Sequence, residues 1–141
     1  MLKILFLCTG NSCRSQMAEG WARFLHPGAM RAFSAGVTPK PVDPLAVRVM
    51  QEAGVDISGQ VSKHMKLLMS ERFDTVITVC DSAREACPVF PGKVKRLHFS
   101  FDDPPALAKS ARSEEERLAG YRRVRDEIRA MVERLPLLLL K

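Results

Sequence analysis

Residues 2–15 read LKILFLCTGNSCRS, and this stretch decides the fold class. Its first part, residues 2–7, is a nearly continuous apolar run of strand length, which is typical of a strand covered on both faces of a sheet. Small and polar residues follow from residue 9 to residue 15. Apolar side chains then recur at helical spacing until a proline and a glycine, at Met17, Trp21 and Leu25 before Pro27 and Gly28. The chain therefore opens as a strand, a polar loop and a helix.

The same alternation continues along the chain. Strands are predicted over residues 31–35, 75–79 and 94–99, and helices over residues 44–53, 62–73, 81–87 and 113–135. Asp43 is a typical N-cap, Ser113 with Glu116 has the pattern of a capping box, and Pro136 is expected to end the last helix. Alternating strands and helices predict one α/β domain over residues 1–141, with a four-stranded parallel sheet flanked by helices.

Composition restricts the class of protein. The chain has 141 residues, of which 46% are hydrophobic and 27% charged, as in an ordinary globular domain. Its apolar runs are too short to span a bilayer or to form a secretory signal, so we expect a cytoplasmic protein without membrane contact. The formal net charge of +6 favours anionic partners. Nucleic acid is not expected, because aromatic and basic residues are not interleaved. A monomer is the expected state.

The loop of residues 8–15 has the composition of an oxyanion site with a nucleophile. In open α/β sheets, ligands bind beyond the carboxyl ends of strands, where a helix N-terminus offers converging N–H groups and a positive dipole. The predicted oxyanion-binding residues are Thr9, Gly10, Asn11, Ser12, Cys13 and Arg14. The guanidinium of Arg14 can hold two oxygens, and the positive field is expected to lower the pKa of Cys8. We predict that Cys8 is a nucleophile and that Ser15 donates a hydrogen bond to its thiolate.

Two further cysteines follow the strand predicted at residues 75–79. Cys80 follows that strand as Cys8 ends the first, so a parallel sheet brings both to one edge, where they can pair. Cys87 lies seven residues beyond Cys80. If residues 81–87 are helical, the Cα atoms of Cys80 and Cys87 are roughly 10 Å apart, whereas a disulfide needs less than about 7 Å. This pair therefore requires the helix to unwind. Zinc is not expected, because the cysteine spacings do not fit its usual sites.

Nearly the whole chain resembles a known family. Residues 8–15 resemble the phosphate-binding loop of the low-molecular-weight protein tyrosine phosphatases. The longer run through Trp21 is similar to the thioredoxin-coupled arsenate reductases built on the same fold. The resemblance continues through residues 34–36, 80–88, 101–104 and 123–128.

The resemblance implies reduction of arsenate by a relay of three cysteines. Cys8 attacks arsenate, while Arg14 holds the oxyanion and Asp103 protonates the leaving oxygen. Cys80 then attacks Cys8, which releases arsenite and leaves a Cys8–Cys80 disulfide. Cys87 attacks Cys80, and thioredoxin reduces the resulting Cys80–Cys87 disulfide, so no other cofactor is required.

The role of Asp103 comes from the resemblance. On spacing alone, Asp103 before Pro104 is an ordinary turn, and the neighbouring Asp102 is the natural control. Cys13 is outside the relay and is assigned a packing role. The histidines are assigned to surface or packing positions, since they have no catalytic or metal-binding spacing: His26, His64 and His98.

One position departs from the family's pattern. Some members bind a potassium ion through residues matching Asn11, Glu19 and Ser34, together with an acidic side chain. The position that resembles that acid is Lys63 in this chain. Because an ammonium group can replace the charge of the cation, we expect no metal and no potassium requirement.

Two other functions remain open. A phosphatase that hydrolyses phosphate monoesters needs Cys8, Arg14 and Asp103 alone, and weak phosphatase activity is expected from the shared loop in any case. A non-catalytic redox sensor would use Cys8 and Cys80 without turnover. Cys80 and Cys87, the resolving thiols, distinguish a reductase from a phosphatase, because hydrolysis of a phosphocysteine needs neither of them.

Overall fold

The sheet has four parallel strands in the computed structural model, which describes residues 1–88 and 90–139. The strands are β1 (Leu2–Cys8), β2 (Met30–Gly36), β3 (Thr75–Thr78) and β4 (Lys95–His98). Their spatial order is β2-β1-β3-β4, and every neighbouring pair is parallel, as the sequence predicts. Cys8 lies opposite Gly36 in the register, and Leu7 lies opposite Thr78. The residues that follow β1 and β3 therefore leave the sheet at the same edge.

Five helices lie among the described residues. They are α1 (Arg14–Leu25), α2 (Pro44–Glu52), α3 (Asp81–Ala86), α4 (Pro104–Ala108) and α5 (Glu114–Leu139). The predicted caps of α2 and α5 are present: Leu45 N donates to Asp43 Oδ1 at 2.9 Å, and Glu116 N donates to Ser113 Oγ at 3.1 Å. No helix in the described part of the chain is both long and apolar enough to cross a membrane.

The prediction of a helix over residues 62–73 is wrong. Only Met65–Leu68 form a single 3₁₀ turn. The backbone of Lys63 bonds to other parts of the fold instead: its N–H donates to Asn11 Oδ1 at 3.0 Å, and its carbonyl accepts from Gly36 N at 2.9 Å. These tertiary hydrogen bonds hold the backbone extended through His64, so helical hydrogen bonding cannot begin earlier.

The end predicted for the last helix is also wrong, because α5 continues through Pro136 to Leu139. A proline has no N–H to donate, so the helix would leave the carbonyl of Val132 without its usual partner. The ring of His26 supplies one, since its Nε2 donates to Val132 O at 2.9 Å. The histidine thus replaces the missing helical hydrogen bond.

The core surrounds β1 and the inner face of α5. Residues 4–8 are all buried, as expected for an inner strand covered on both faces. α5 packs against α1, α2 and α4. Trp21 of α1 is fully buried there, and its Nε1 donates to the carbonyl of Arg125 at 3.2 Å. This packing fixes the direction of α1, whose N-terminus faces the loop that follows β1.

Candidate active site

The loop between β1 and α1 turns its carbonyl groups outward. The segment of residues 37–43 binds four of them through its backbone N–H groups: Val37 to Cys8 (3.3 Å), Thr38 to Thr9 (2.8 Å), Lys40 to Gly10 (2.9 Å) and Asp43 to Ser12 (2.8 Å). Within the described residues, the amides of residues 10–14 have no protein acceptor. Because its carbonyls are bound to another segment and its amides are free at the start of α1, the loop can hold an anion.

The loop is held in place by Asn11 and Gly36. Asn11 is fully buried with φ of 47°, a left-handed conformation that asparagine tolerates better than most residues. Its Nδ2 donates to Ser15 Oγ at 2.8 Å, which leaves the hydroxyl proton of Ser15 available. A Cβ at Gly36 would lie 2.8 Å from Asn11 N and from Thr9 O. The requirement for glycine at this position was not predicted from the sequence. The available signal was a glycine directly after the strand predicted over residues 31–35.

Arg14 lies at the mouth of the loop with part of its guanidinium free. Its Nη1 donates to the carbonyl of Phe101 at 2.9 Å, which directs the side chain across the loop. Its Nε is buried and has no hydrogen-bond partner among the described residues. A buried donor without a partner is costly, so a bound oxyanion would relieve that cost. The arrangement fits the predicted role of Arg14.

The two neighbouring aspartates point in different directions. Asp103 Oδ1 lies 3.6 Å from Arg14 Nη2, and its side chain is 44% exposed, so it reaches both the oxyanion loop and solvent. Asp102 instead pairs with Arg123 of α5 at 2.9 Å. Asp103 precedes α4, a helix absent from our sequence predictions, with Pro104 in its first turn. The start of α4 therefore places Asp103, and not Asp102, beside the loop.

Cys8 and Cys80 are brought together as the sequence predicts, and their thiols interact directly. The prediction that the pKa of Cys8 is lowered is wrong: the hydrogen bond with Cys80 and burial raise it, and they outweigh the charge of Arg14. The lowered pKa is that of Cys80, at about 5. Hydrogen bonds from Cys8, from the hydroxyl of Thr9 (3.2 Å) and from the N–H of Ala83 stabilise its thiolate. The pair thus holds one negative charge at neutral pH.

Cys87 lies at the far end of α3 from Cys80. α3 begins directly after Cys80 and ends directly before Cys87, so it separates the two thiols, as the sequence predicts. All four cysteines are free. Burial raises the pKa of Cys87, against the opposing charge of Arg96. Cys13 is buried in the core cluster, and burial raises its pKa well above the usual value, in keeping with a packing role.

A second polar cluster lies behind the loop. Glu19 is buried and accepts from Ser34 Oγ at 2.7 Å, while Arg23 lies 3.0 Å from its other oxygen. Lys63 and Glu19 line one cavity, and Lys63 Nζ donates to the carbonyl of Val61 at 2.9 Å. Burial lowers the pKa of Lys63, while the attraction of Glu19 opposes this shift. Arg23 and Lys63 therefore both attract the buried carboxylate of Glu19. In the described part of the chain, no three histidine, cysteine or acidic side chains are grouped to hold a metal.

Several known proteins that are similar to this chain are arsenate reductases. An arsenate reductase from Bacillus licheniformis is 48% identical over 131 residues, which are 93% of this chain and 92% of that protein. A solved arsenate reductase in the phosphate binding state has a TM-score of 0.77 at 33% identity and covers 99% of both chains. A thioredoxin-dependent arsenate reductase from Corynebacterium glutamicum has a TM-score of 0.72 at 25% identity, covering 99% of this chain and 62% of that one.

The resemblance inferred from the sequence is confirmed by these relatives and by a family model. The model for low molecular weight phosphotyrosine protein phosphatase matches residues 3–139. Since the match spans almost all of the sequence, and relatives nearly half identical align over nearly their whole length, the chain belongs to the low molecular weight phosphotyrosine protein phosphatase family.

Proposed function

We propose that this protein reduces arsenate to arsenite with a relay of three cysteines and receives its electrons from thioredoxin. One observation supports this proposal above all: Cys80 lies beside Cys8 at the oxyanion loop, where Thr9 Oγ1 is 3.2 Å from Cys80 Sγ, and Cys87 lies at the other end of a short helix. Hydrolysis of a phosphate ester needs neither Cys80 nor Cys87. Reduction of an oxyanion needs two electrons from thiols, which such a pair supplies.

The first step joins arsenic to Cys8. The charge of Arg14 favours the ionised form of Cys8, which passes its proton to the incoming oxyanion and attacks as a thiolate. Its sulfur attacks arsenic, and one oxygen leaves as water with a proton from Asp103. Arg14 and the free amides of the loop hold the remaining oxygens.

Two thiol exchanges complete the turnover. The sulfur of Cys80 attacks the sulfur of Cys8, a disulfide forms, and arsenic leaves as arsenite with the two electrons of the broken arsenic–sulfur bond. Cys87 then attacks Cys80 as a thiolate, and Cys8 leaves as a thiolate, so this exchange moves no net electrons. A dithiol of thioredoxin reduces the Cys80–Cys87 disulfide and restores the starting state. Thioredoxin dependence of the Corynebacterium glutamicum relative supports this last step.

A slow phosphatase activity is the second function that the site supports. The family is that of phosphatases, and the loop, Arg14 and Asp103 contain what transfer of a phosphoryl group to Cys8 requires. A related arsenate reductase has been solved in a phosphate binding state. Phosphate monoesters are therefore expected to be hydrolysed, with no contribution from the resolving thiols.

The decisive experiment measures arsenite formed from arsenate in the presence of thioredoxin, thioredoxin reductase and NADPH. Wild type is compared with Cys80→Ser and Cys87→Ser, and with Ser70→Ala as a control at an exposed position outside the site. We expect wild type and Ser70→Ala to turn over, Cys87→Ser to release one equivalent of arsenite and then stop, and Cys80→Ser to release none. Trapping of a Cys8–Cys80 disulfide in Cys87→Ser would establish the order. Phosphate ester hydrolysis without arsenite formation, unchanged in both resolving variants, would identify a phosphatase instead.

A further inference from the structure

Helix α3 must open before Cys87 can reach Cys80. Its six residues, Asp81–Ala86, keep the two cysteines at opposite ends. A helix of this length is not stable alone, because the few hydrogen bonds that it makes do not offset the cost of starting it. Of its described residues, Ala83 alone has a buried side chain. Contacts with the rest of the fold must therefore keep α3 wound.

A chain of hydrogen bonds holds the Cys80 end of α3 to strand β4. Nε2 of His98 lies 3.0 Å from Asp81 Oδ1, and Ser100 Oγ donates to the same oxygen at 3.3 Å. On the other side of the ring, His98 Nδ1 lies 2.7 Å from Thr78 Oγ1. With the proton on Nε2, the ring donates to Asp81 and accepts from Thr78, so the chain needs no charge on the histidine.

The Cys87 end is held by the same strand. Arg96 Nη2 donates to the carbonyl of Pro88, directly after Cys87, at 2.9 Å. Arg96 and His98 also line a cavity of about 390 Å³ with Cys87, on one side of β4. Both ends of α3 are thus bound to side chains from β4 and the residues directly after it. We call Arg96, His98 and Ser100 the β4 anchor.

We propose that the β4 anchor consists of positioning residues that keep α3 wound while Cys80 and Cys87 are reduced, and so set the reduction potential of this pair. This inference rests on the proposed relay. The disulfide needs a Cα distance below about 7 Å, which a wound α3 does not allow, so the anchor contacts belong to the reduced form. Weakening them favours the oxidised form, and it speeds the exchange in which Cys87 attacks Cys80 and Cys8 leaves.

The test is a redox titration of the Cys80–Cys87 pair in a Cys8→Ser, Cys13→Ser background, equilibrated with oxidised and reduced dithiothreitol. His98→Phe removes the ring nitrogens and keeps the bulk. It should shift the equilibrium about fivefold toward the disulfide, the effect of one net hydrogen bond, which is roughly 20 mV more negative for a two-electron couple. His98→Gln, whose amide can still donate, should shift it less. Arg96 is left unchanged, because its charge also acts on the pKa of Cys87.

Two further variants serve as a second test of the anchor and as a control. Ser100 is exposed, so Ser100→Ala should fold normally and shift the equilibrium in the same direction by a smaller factor. His26→Phe is the matched control, since it removes a histidine hydrogen bond far from α3 and should lower stability without moving the potential. An unchanged potential in His98→Phe and Ser100→Ala would overturn the inference. If the background protein forms no Cys80–Cys87 disulfide under any buffer, the relay itself is overturned.

Discussion

Alanine in place of Gly36 is expected to distort the oxyanion loop, because the new methyl group meets backbone on the far side. The added Cβ would lie 2.8 Å from both Asn11 N and Thr9 O, and these atoms must retreat by about 0.6 Å to reach ordinary contact at 3.4 Å. Neither atom belongs to a flexible side chain. Strain of this kind costs about 1–3 kcal/mol, which corresponds to a Tm lower by roughly 3–12 °C in a domain of this size.

The same substitution should weaken binding of the oxyanion. Displacing the loop by that distance misdirects at least one amide, and one lost hydrogen bond to a charged ligand weakens binding by about tenfold or more. The assay is calorimetric titration of the reduced protein with inorganic phosphate, together with its Tm. Gly59→Ala is the matched control, since a Cβ at Gly59 meets nothing within 4 Å. A folded Gly36→Ala protein that binds phosphate as tightly as wild type would refute the reasoning.

Three other results are expected. Thr9→Val removes a hydrogen bond to the Cys80 thiolate and so raises the pKa of Cys80 above about 5. Alkylation of Cys80 at pH 5.5 should therefore slow about threefold to tenfold, and an unchanged rate would contradict this. Asp103→Asn should lower kcat for phosphate esters by about 10²–10⁴-fold, whereas Asp102→Asn should stay within about twofold; equal losses would exclude Asp103 as the acid. Activity should not change when potassium replaces sodium at constant ionic strength, since the ammonium group of Lys63 lines the same cavity as Glu19 and is attracted by it. A sharp rise in activity would disprove this.

Local signals predicted most of the fold. The apolar run of β1, the caps Asp43 and Ser113, and the spacing of the last helix each depend on residues close together in sequence, and the structure confirms them. The errors arise where distant residues decide the backbone. Nothing near residues 62–73 shows that Asn11 and Gly36 bind the backbone of Lys63.

In the site, too, features set by neighbouring residues could be predicted and features set by distant residues could not. The oxyanion loop and the edge shared by Cys8 and Cys80 could be predicted, because a strand–loop–helix motif and parallel strands determine them. The pKa values could not, since they depend on how closely two sulfurs approach and on which donors reach each of them. Those distances come from tertiary packing. The free Nε of Arg14 was likewise not predictable, as it depends on the carbonyl of Phe101 binding the other end of the guanidinium.

The hydrogen bond from His26 to the carbonyl of Val132, which Pro136 cannot make, affects the order in which the chain folds. The last turn of α5 lacks one of its own hydrogen bonds, and side chains from distant parts of the chain complete it: His26 at Val132 O and Lys95 at Leu138 O. That turn cannot gain these partners until α1 and β4 have docked. It should therefore be among the last native segments to form, and among the last whose amides become protected when refolding is followed by pulsed hydrogen exchange.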